Sequence, residues 1–225
     1  MIRLVNAVKG PARITHRQRQ ALATRGLILD SARRLFRDRG YAGTTIEAIA
    51  AGAGVAVNTI YASFGSKRSI LTAIRLRWLE QAEVPRLDAE ANSEPDPARR
   101  FALMARLFRQ QYESGLDIVL AIFSAAEVDP EVKAELQPVA SERAARLERV
   151  VKGLRGGIRP GLTSRRAAGL LRALGQAYIY QELVVRSGWS PDEYERWLAA
   201  TLMEQIVGKA PSRSTRAPGA KTAPG

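Results

Sequence analysis

The side chains that could do chemistry in this sequence are cations and amides rather than nucleophiles. There is no cysteine, and the one histidine, His16, stands in a polar stretch. Thiolate catalysis, disulfides and Cys/His zinc sites are therefore excluded, and a His-centred triad has little to build on. No nucleophile–base pair, metal-ligand cluster or phosphate-cradling glycine loop appears, so neither an enzyme nor a cofactor is expected. Charge is more informative. Residues 1–80 hold 14 Lys/Arg against 4 Asp/Glu, residues 81–208 hold 17 against 18, and 209–225 add 4 basic and no acidic side chains. A basic N-terminal third beside a balanced remainder is the footprint of a polyanion-binding module joined to something else. Ser66-Lys67-Arg68 sharpens the point, because it opens a helix that continues through Ile70, Leu71, Ile74 and Trp78. Two cations there oppose the helix dipole, a placement that makes sense if an external anion such as phosphate completes the site.

The elements that must position these groups read as helices. Ile28, Ala32, Leu35 and Phe36 recur at helical spacing in a first helix from about Ala21 to Arg39, which Gly40 ends. Thr44 is expected to cap a second helix, with Glu47 returning the bond in a capping box. That helix is brief, Thr45 to about Ala51, before Gly52-Ala53-Gly54 interrupts it and Val55 opens another ending near Phe64. Short helix, glycine turn and short helix make the skeleton of a helix-turn-helix. Read at about 100° per residue, Ala56 to Phe64 sets Asn58 and Ala62 opposite Ile60, with Thr59 and Tyr61 on the flanks.

From Arg25 through Leu71 the string RGLILDSARRLFRDRGYAGTTIEAIAAGAGVAVNTIYASFGSKRSIL resembles the DNA-binding domain of the TetR family of transcriptional regulators. The resemblance rests on Leu35-Phe36, Gly40-Tyr41, Thr44-Thr45, Ile49-Ala50, Ala53-Gly54-Val55, Thr59-Ile60-Tyr61, Phe64 and Ser66-Lys67. It implies that the second helix of the motif enters a major groove and that neighbouring groups hold phosphates. The DNA-contacting candidates are then Thr44, Thr45, Val57, Asn58, Thr59, Tyr61 and Lys67. Asn58 is the base reader, since its amide can pair bidentately with adenine, and Val57 can meet a thymine methyl. Thr59, Tyr61 and Lys67 fall to the backbone. Ala56 departs from the family, where a serine commonly stands, and removes one hydroxyl.

Beyond a Pro/Asp/Ser-rich link near Asn92 to Pro97, helices are expected at about 98–114, 116–127, 131–153, 164–187 and 191–207. The last carries Ser190 as cap, Pro191 first in the helix, Glu193 to complete the box, and Trp189 to staple onto Tyr194. Two apolar faces on the helix at 164–187 imply two burials. The resemblance implies a dimer across the last two long helices, with Leu171, Leu174, Tyr178, Tyr194, Trp197, Leu198, Thr201 and Leu202 as interface candidates. It also implies a small-molecule pocket, for which Phe101, Met104, Phe108, Tyr112, Phe123 and Tyr178 are candidates, each open to being ordinary core.

The expected fold is all-α. It comprises a basic flexible arm (1–20), a three-helix DNA-binding domain (21–66), a larger helical regulatory and dimerisation domain (67–208) and a disordered basic tail (209–225). The expected function is a homodimeric, sequence-specific regulator, a repressor released from a palindromic DNA operator by a small-molecule effector. A cytoplasmic location without membrane contact is expected, since no run of 18 apolar residues occurs. The competing reading is a sequence-independent nucleic-acid-binding protein that uses the basic ends.

Overall fold

The structure, a computed structural model, describes residues 15–81, 84–154 and 156–208. The basic segments at 1–14 and 209–225 lie outside the described residues. All regular structure among the described residues is helical, and no single described helix is long and apolar enough to cross a membrane. In order these helices are α1 (His16–Arg39), α2 (Ile46–Ala53), α3 (Val57–Phe64), α4 (Lys67–Gln81) and α5 (Val84–Ser93). They are followed by α6 (Pro97–Val128), α7 (Pro130–Lys152), α8 (Ser164–Leu174), α9 (Ala177–Tyr180) and α10 (Pro191–Leu202). Short π-helical stretches, Gln181–Arg186 and Met203–Val207, prolong α9 and α10.

Packing divides the chain into two compact units that are not contiguous in sequence: residues 115–136 join the N-terminal segment, and 84–114 join 137–208. In the first unit, Ile28, Ala32, Phe36, Tyr41, Ile49, Ile60, Ile70 and Ile74 form the core. Polar links tie residues 115–136 to this unit. Arg33 grips Asp117 through two bonds of 2.7 and 2.8 Å, Tyr41 donates to Asp129 at 3.1 Å, and Arg68 pairs with Glu131 and Glu135. Gly115 breaks α6 with φ −152 and ψ 25, and the indole of Trp78 fills the space where a side chain would be, since a Cβ there would lie 2.3 Å from the ring.

The second unit buries Phe101, Met104, Phe108, Tyr112, Leu147, Val150, Leu171, Tyr180, Tyr194, Leu198 and Leu202. Ser190 and Glu193 form the expected capping box. The Trp189 ring meets Trp197 edge-on at 5.9 Å. Two expectations shift further. The single helix at 164–187 is interrupted at Gly175 and Gln176, and α5 supplies a helix where none was expected. Arg100, 3% exposed, sits between the ends of α5 and α7, giving hydrogen bonds to the carbonyls of Asn92, Glu94 and Val150. A cation there offsets the negative C-terminal ends of two helices.

Candidate nucleic-acid interface

The frame of the interface is α1, which begins five residues before the expected Ala21. Thr15 caps it and Gln18 returns the bond, the box that the sequence T-x-x-Q encodes. Residues 15–20 of the expected arm are therefore the cap and first turns of a helix. Against α1 lies α2, and the approach is close because Gly52 has no side chain: a Cβ there would stand 2.4 Å from the Ser31 hydroxyl, which itself donates to the Ile49 carbonyl at 3.1 Å. Gly54 then turns the chain in the left-handed region (φ 67, ψ 33), its N–H closing on the carbonyls of Ala50 and Ala51. The axes of α2 and α3 consequently meet at 105°, within the range of helix-turn-helix motifs.

Ile60 pins α3 to the core with no exposure, and this fixes what the rest of the helix shows to solvent. Asn58, Tyr61 and Ala62 are exposed, and Val57 and Thr59 are half-buried. α3 thus turns Asn58 and Tyr61 to solvent and leaves Val57 and Thr59 half-buried on either side of Asn58. Ala56 caps the helix with no side-chain bond, as its methyl requires. Thr45 is exposed, and its hydroxyl accepts from the Ala48 N–H as the cap of α2.

Three expectations change. Thr45 rather than Thr44 caps α2, and no capping box forms, because the residue three positions on is Ala48. Thr44 is 1% exposed and donates to the Gly40 carbonyl at 2.8 Å, so its hydroxyl is turned inward. Lys67 does not face outward as a free phosphate ligand. Its ammonium bonds the carbonyls of Tyr41 and Thr44 and lies over the Tyr41 ring, and burial lowers its pKa from the ordinary lysine value. Arg68 finds its anions in Glu131 and Glu135, while Ser66 caps α4 by accepting from the Ser69 N–H at 3.0 Å. Both cations that open α4 therefore find partners within the chain, Arg68 in carboxylates and Lys67 in carbonyls.

A residue not anticipated is Arg25. Its guanidinium lies 4.1 Å from the centroid of the Phe64 ring and donates to the Ser63 carbonyl, so it ties α1 to the C-terminal end of α3. An arginine three residues before the buried Ile28, on the same side of α1, was the available signal.

The expected pocket and interface residues divide. Phe101, Met104, Phe108 and Tyr112 are buried together in the second unit, whereas Phe123 belongs to the first and Tyr178 is 54% exposed. Among the interface candidates, Leu171, Tyr194, Leu198 and Leu202 are fully buried within the chain and have no surface for a partner. Leu174, Tyr178, Trp197 and Thr201 keep exposed area, as does Val185 at 61%.

Comparison with known proteins agrees with this geometry. Residues 28–74 match the family model described as bacterial regulatory proteins, tetR family. Among solved structures, NalD, the secondary repressor of the MexAB-OprM multidrug efflux pump in Pseudomonas aeruginosa, is similar at 22% identity and a TM-score of 0.68. That match covers 84% of this chain and 98% of NalD. FadR from Bacillus subtilis, solved with stearoyl-CoA, is similar at 17% identity and a TM-score of 0.64, covering 82% of this chain and 99% of FadR. A transcriptional regulator from Saccharomonospora viridis, solved with choline, matches at 22% identity and a TM-score of 0.64, covering 84% of this chain and all of its own. No match is found among curated proteins.

Proposed function

We propose, from the match of residues 28–74 to the model described as bacterial regulatory proteins, tetR family, that the chain is a homodimeric repressor that reads a palindromic DNA operator through α3 and is released by a small-molecule effector. The observation that carries this reading is the orthogonal α2–α3 pair with Ile60 buried beneath it and the Asn58 amide exposed and without a partner in the described chain. An asparagine so presented can donate to and accept from an adenine edge at once. Tyr61 and Thr45 supply hydroxyls for phosphate oxygens on either side, and Val57 an apolar contact.

A dimer is supported by the apolar side chains left accessible on α8, α9 and α10, chiefly Leu174, Val185 and Trp197. Two reading helices about 34 Å apart would then meet successive major grooves of one duplex face. An effector site is supported by the aromatic interior of the second unit and by the ligands held in the FadR and Saccharomonospora structures. Competition decides between specific and sequence-independent binding. A duplex selected by the protein should resist a thousandfold excess of random DNA, whereas equal displacement by any sequence would remove the proposal.

A further inference from the structure

The Tyr194 hydroxyl is the origin of a more specific assignment. The side chain is completely buried, and its oxygen has no hydrogen-bond partner among the described residues, an arrangement that folded proteins rarely leave unexplained. Its ring packs edge-on against Tyr180, with centroids 4.9 Å apart, and Tyr180 in turn lies 5.6 Å from Tyr112. The Tyr112 hydroxyl donates to the Gly175 carbonyl at 2.5 Å, at the interruption between α8 and α9. Arg143, from α7, donates to that same carbonyl at 3.3 Å and lies 5.8 Å from the Phe108 ring centroid.

Arg143 is the arginine of this cluster that lacks an anion. Arg109 pairs with Glu113, Asp192 and Glu195, and Arg146 with Asp88. Arg143 has no carboxylate within ion-pair distance among the described residues; it donates to the Gly175 carbonyl and to the Tyr112 hydroxyl, which leaves others of its five N–H donors. Its charge bears on the hydroxyls of both Tyr112 and Tyr194, and burial holds both phenols above their ordinary pKa, so that both stay protonated, Tyr112 donating to Gly175 and Tyr194 keeping an unused proton. A half-buried guanidinium without an anion, a phenol without a partner and a second phenol beside them converge from α7, α10 and α6.

We propose that Arg143 and Tyr194 bind the carboxylate head of a small apolar-bodied effector in the second unit, with Tyr112 holding the Gly175 carbonyl beside them, an assignment that rests on the ligand-responsive reading above. A guanidinium fork and a phenolic donor match a planar monoanion in geometry and charge. One cation favours a carboxylate over a doubly charged phosphate. The rings of Phe108, Tyr180 and Tyr194 are buried around these groups and would give the body of the ligand aromatic faces and edges once they part to admit it.

The test uses the full-length protein with benzoate, phenylacetate, hexanoate and octanoate, each beside its neutral amide. Binding is read by thermal shift and by tryptophan fluorescence, since Trp197 lies 6.2 Å from the Tyr194 ring. At least one carboxylate should stabilise the protein and bind more tightly than its amide, and the aromatic and aliphatic arms decide the body. Tyr194→Phe should make the free protein more stable, by removing an unpaired hydroxyl, and raise the carboxylate Kd about ten- to a hundredfold. Arg143→Gln should abolish the preference for carboxylate over amide. If no carboxylate outbinds its amide, or if both variants bind carboxylates as the native protein does, the assignment falls. Operator release is measured apart: carboxylate binding without release keeps the subsite and removes ligand-controlled release, whereas equal release by amides removes the subsite.

Discussion

The Lys67 ammonium stands 4.2 Å from the centroid of the Tyr41 ring and donates to the Tyr41 and Thr44 carbonyls at 2.8 and 2.9 Å, joining the start of α4 to the turn between α1 and α2. Lys67→Met should therefore lower stability by about 1–3 kcal/mol, the cost of leaving buried acceptors unpaired, and weaken DNA binding through the loosened turn. The slope of log affinity against log salt should hardly change. Loss of a phosphate contact would instead flatten it by about one unit per half-site. Denaturant unfolding and salt-dependent titration of the variant separate the two.

Buried tyrosines make the stability of the fold depend on alkaline pH. Burial, aided by the bond to Asp129, pushes Tyr41 up to about 12, and burial pushes Tyr180 up to about 12 as well. The folded state holds these protons more tightly than an unfolded chain with the ordinary value near 10, so the stability they confer is complete below pH 10 and is lost as pH rises from 10 towards 12. Denaturant midpoints should fall across that window while phenolate absorbance rises, and the fall should be shallower in Tyr41→Phe. A midpoint unchanged from pH 9 to 11.5 would contradict the assignment.

Much of this was legible in the sequence. The glycine-punctuated pair of short helices, the pole of α3 at Asn58 opposite Ile60, and the Ser190 box follow from local rules of spacing and capping, and the structure has them. The start of α1 is expected five residues late, at Ala21, because the box of Thr15 and Gln18 that opens the helix goes unread. Partners distant in sequence were not legible. That Lys67 turns to Tyr41, that Arg68 finds Glu131, and that Asp117 answers Arg33 depend on tertiary approach across 26 to 84 residues. For the same reason the stripe of Tyr194, Leu198 and Leu202 could not be divided between core and partner surface from periodicity alone.

Arg100 joins two helix ends by geometry as well as charge, because its planar fork reaches three carbonyls at once. Lysine cannot reproduce that fork. Arg100→Lys should cost about 2–3 kcal/mol, read as a shift in denaturant midpoint, and Arg100→Met at least as much. A neutral Arg100→Lys would refute the helix-end role.

Gly115 and Trp78 occupy one volume. Gly115→Ala should cost about 1–3 kcal/mol by overpacking and alter tryptophan emission. The same change in a Trp78→Ala background should cost less, and equal costs in both backgrounds would show that the two sites are not coupled.

If α8, α9 and α10 carry the dimer contact, Val185→Glu should yield a folded monomer at micromolar concentration, whereas Leu198→Glu should unfold the chain because Leu198 is wholly internal. Sedimentation with circular dichroism distinguishes these outcomes. A Val185→Glu protein that stays dimeric moves the interface elsewhere.

Selection of bound duplexes from random-sequence DNA, run in parallel on the native protein and on Asn58→Ala, tests the central claim most directly. The native protein should enrich a motif with twofold symmetry and half-sites one helical turn apart. Asn58→Ala should return the same motif with preference relaxed at one position in each half-site, a discrimination of about 1–3 kcal/mol. Recovery of no motif by the native protein, or of an identical motif by both proteins, would contradict the assignment of α3 as the reading helix and Asn58 as its base contact.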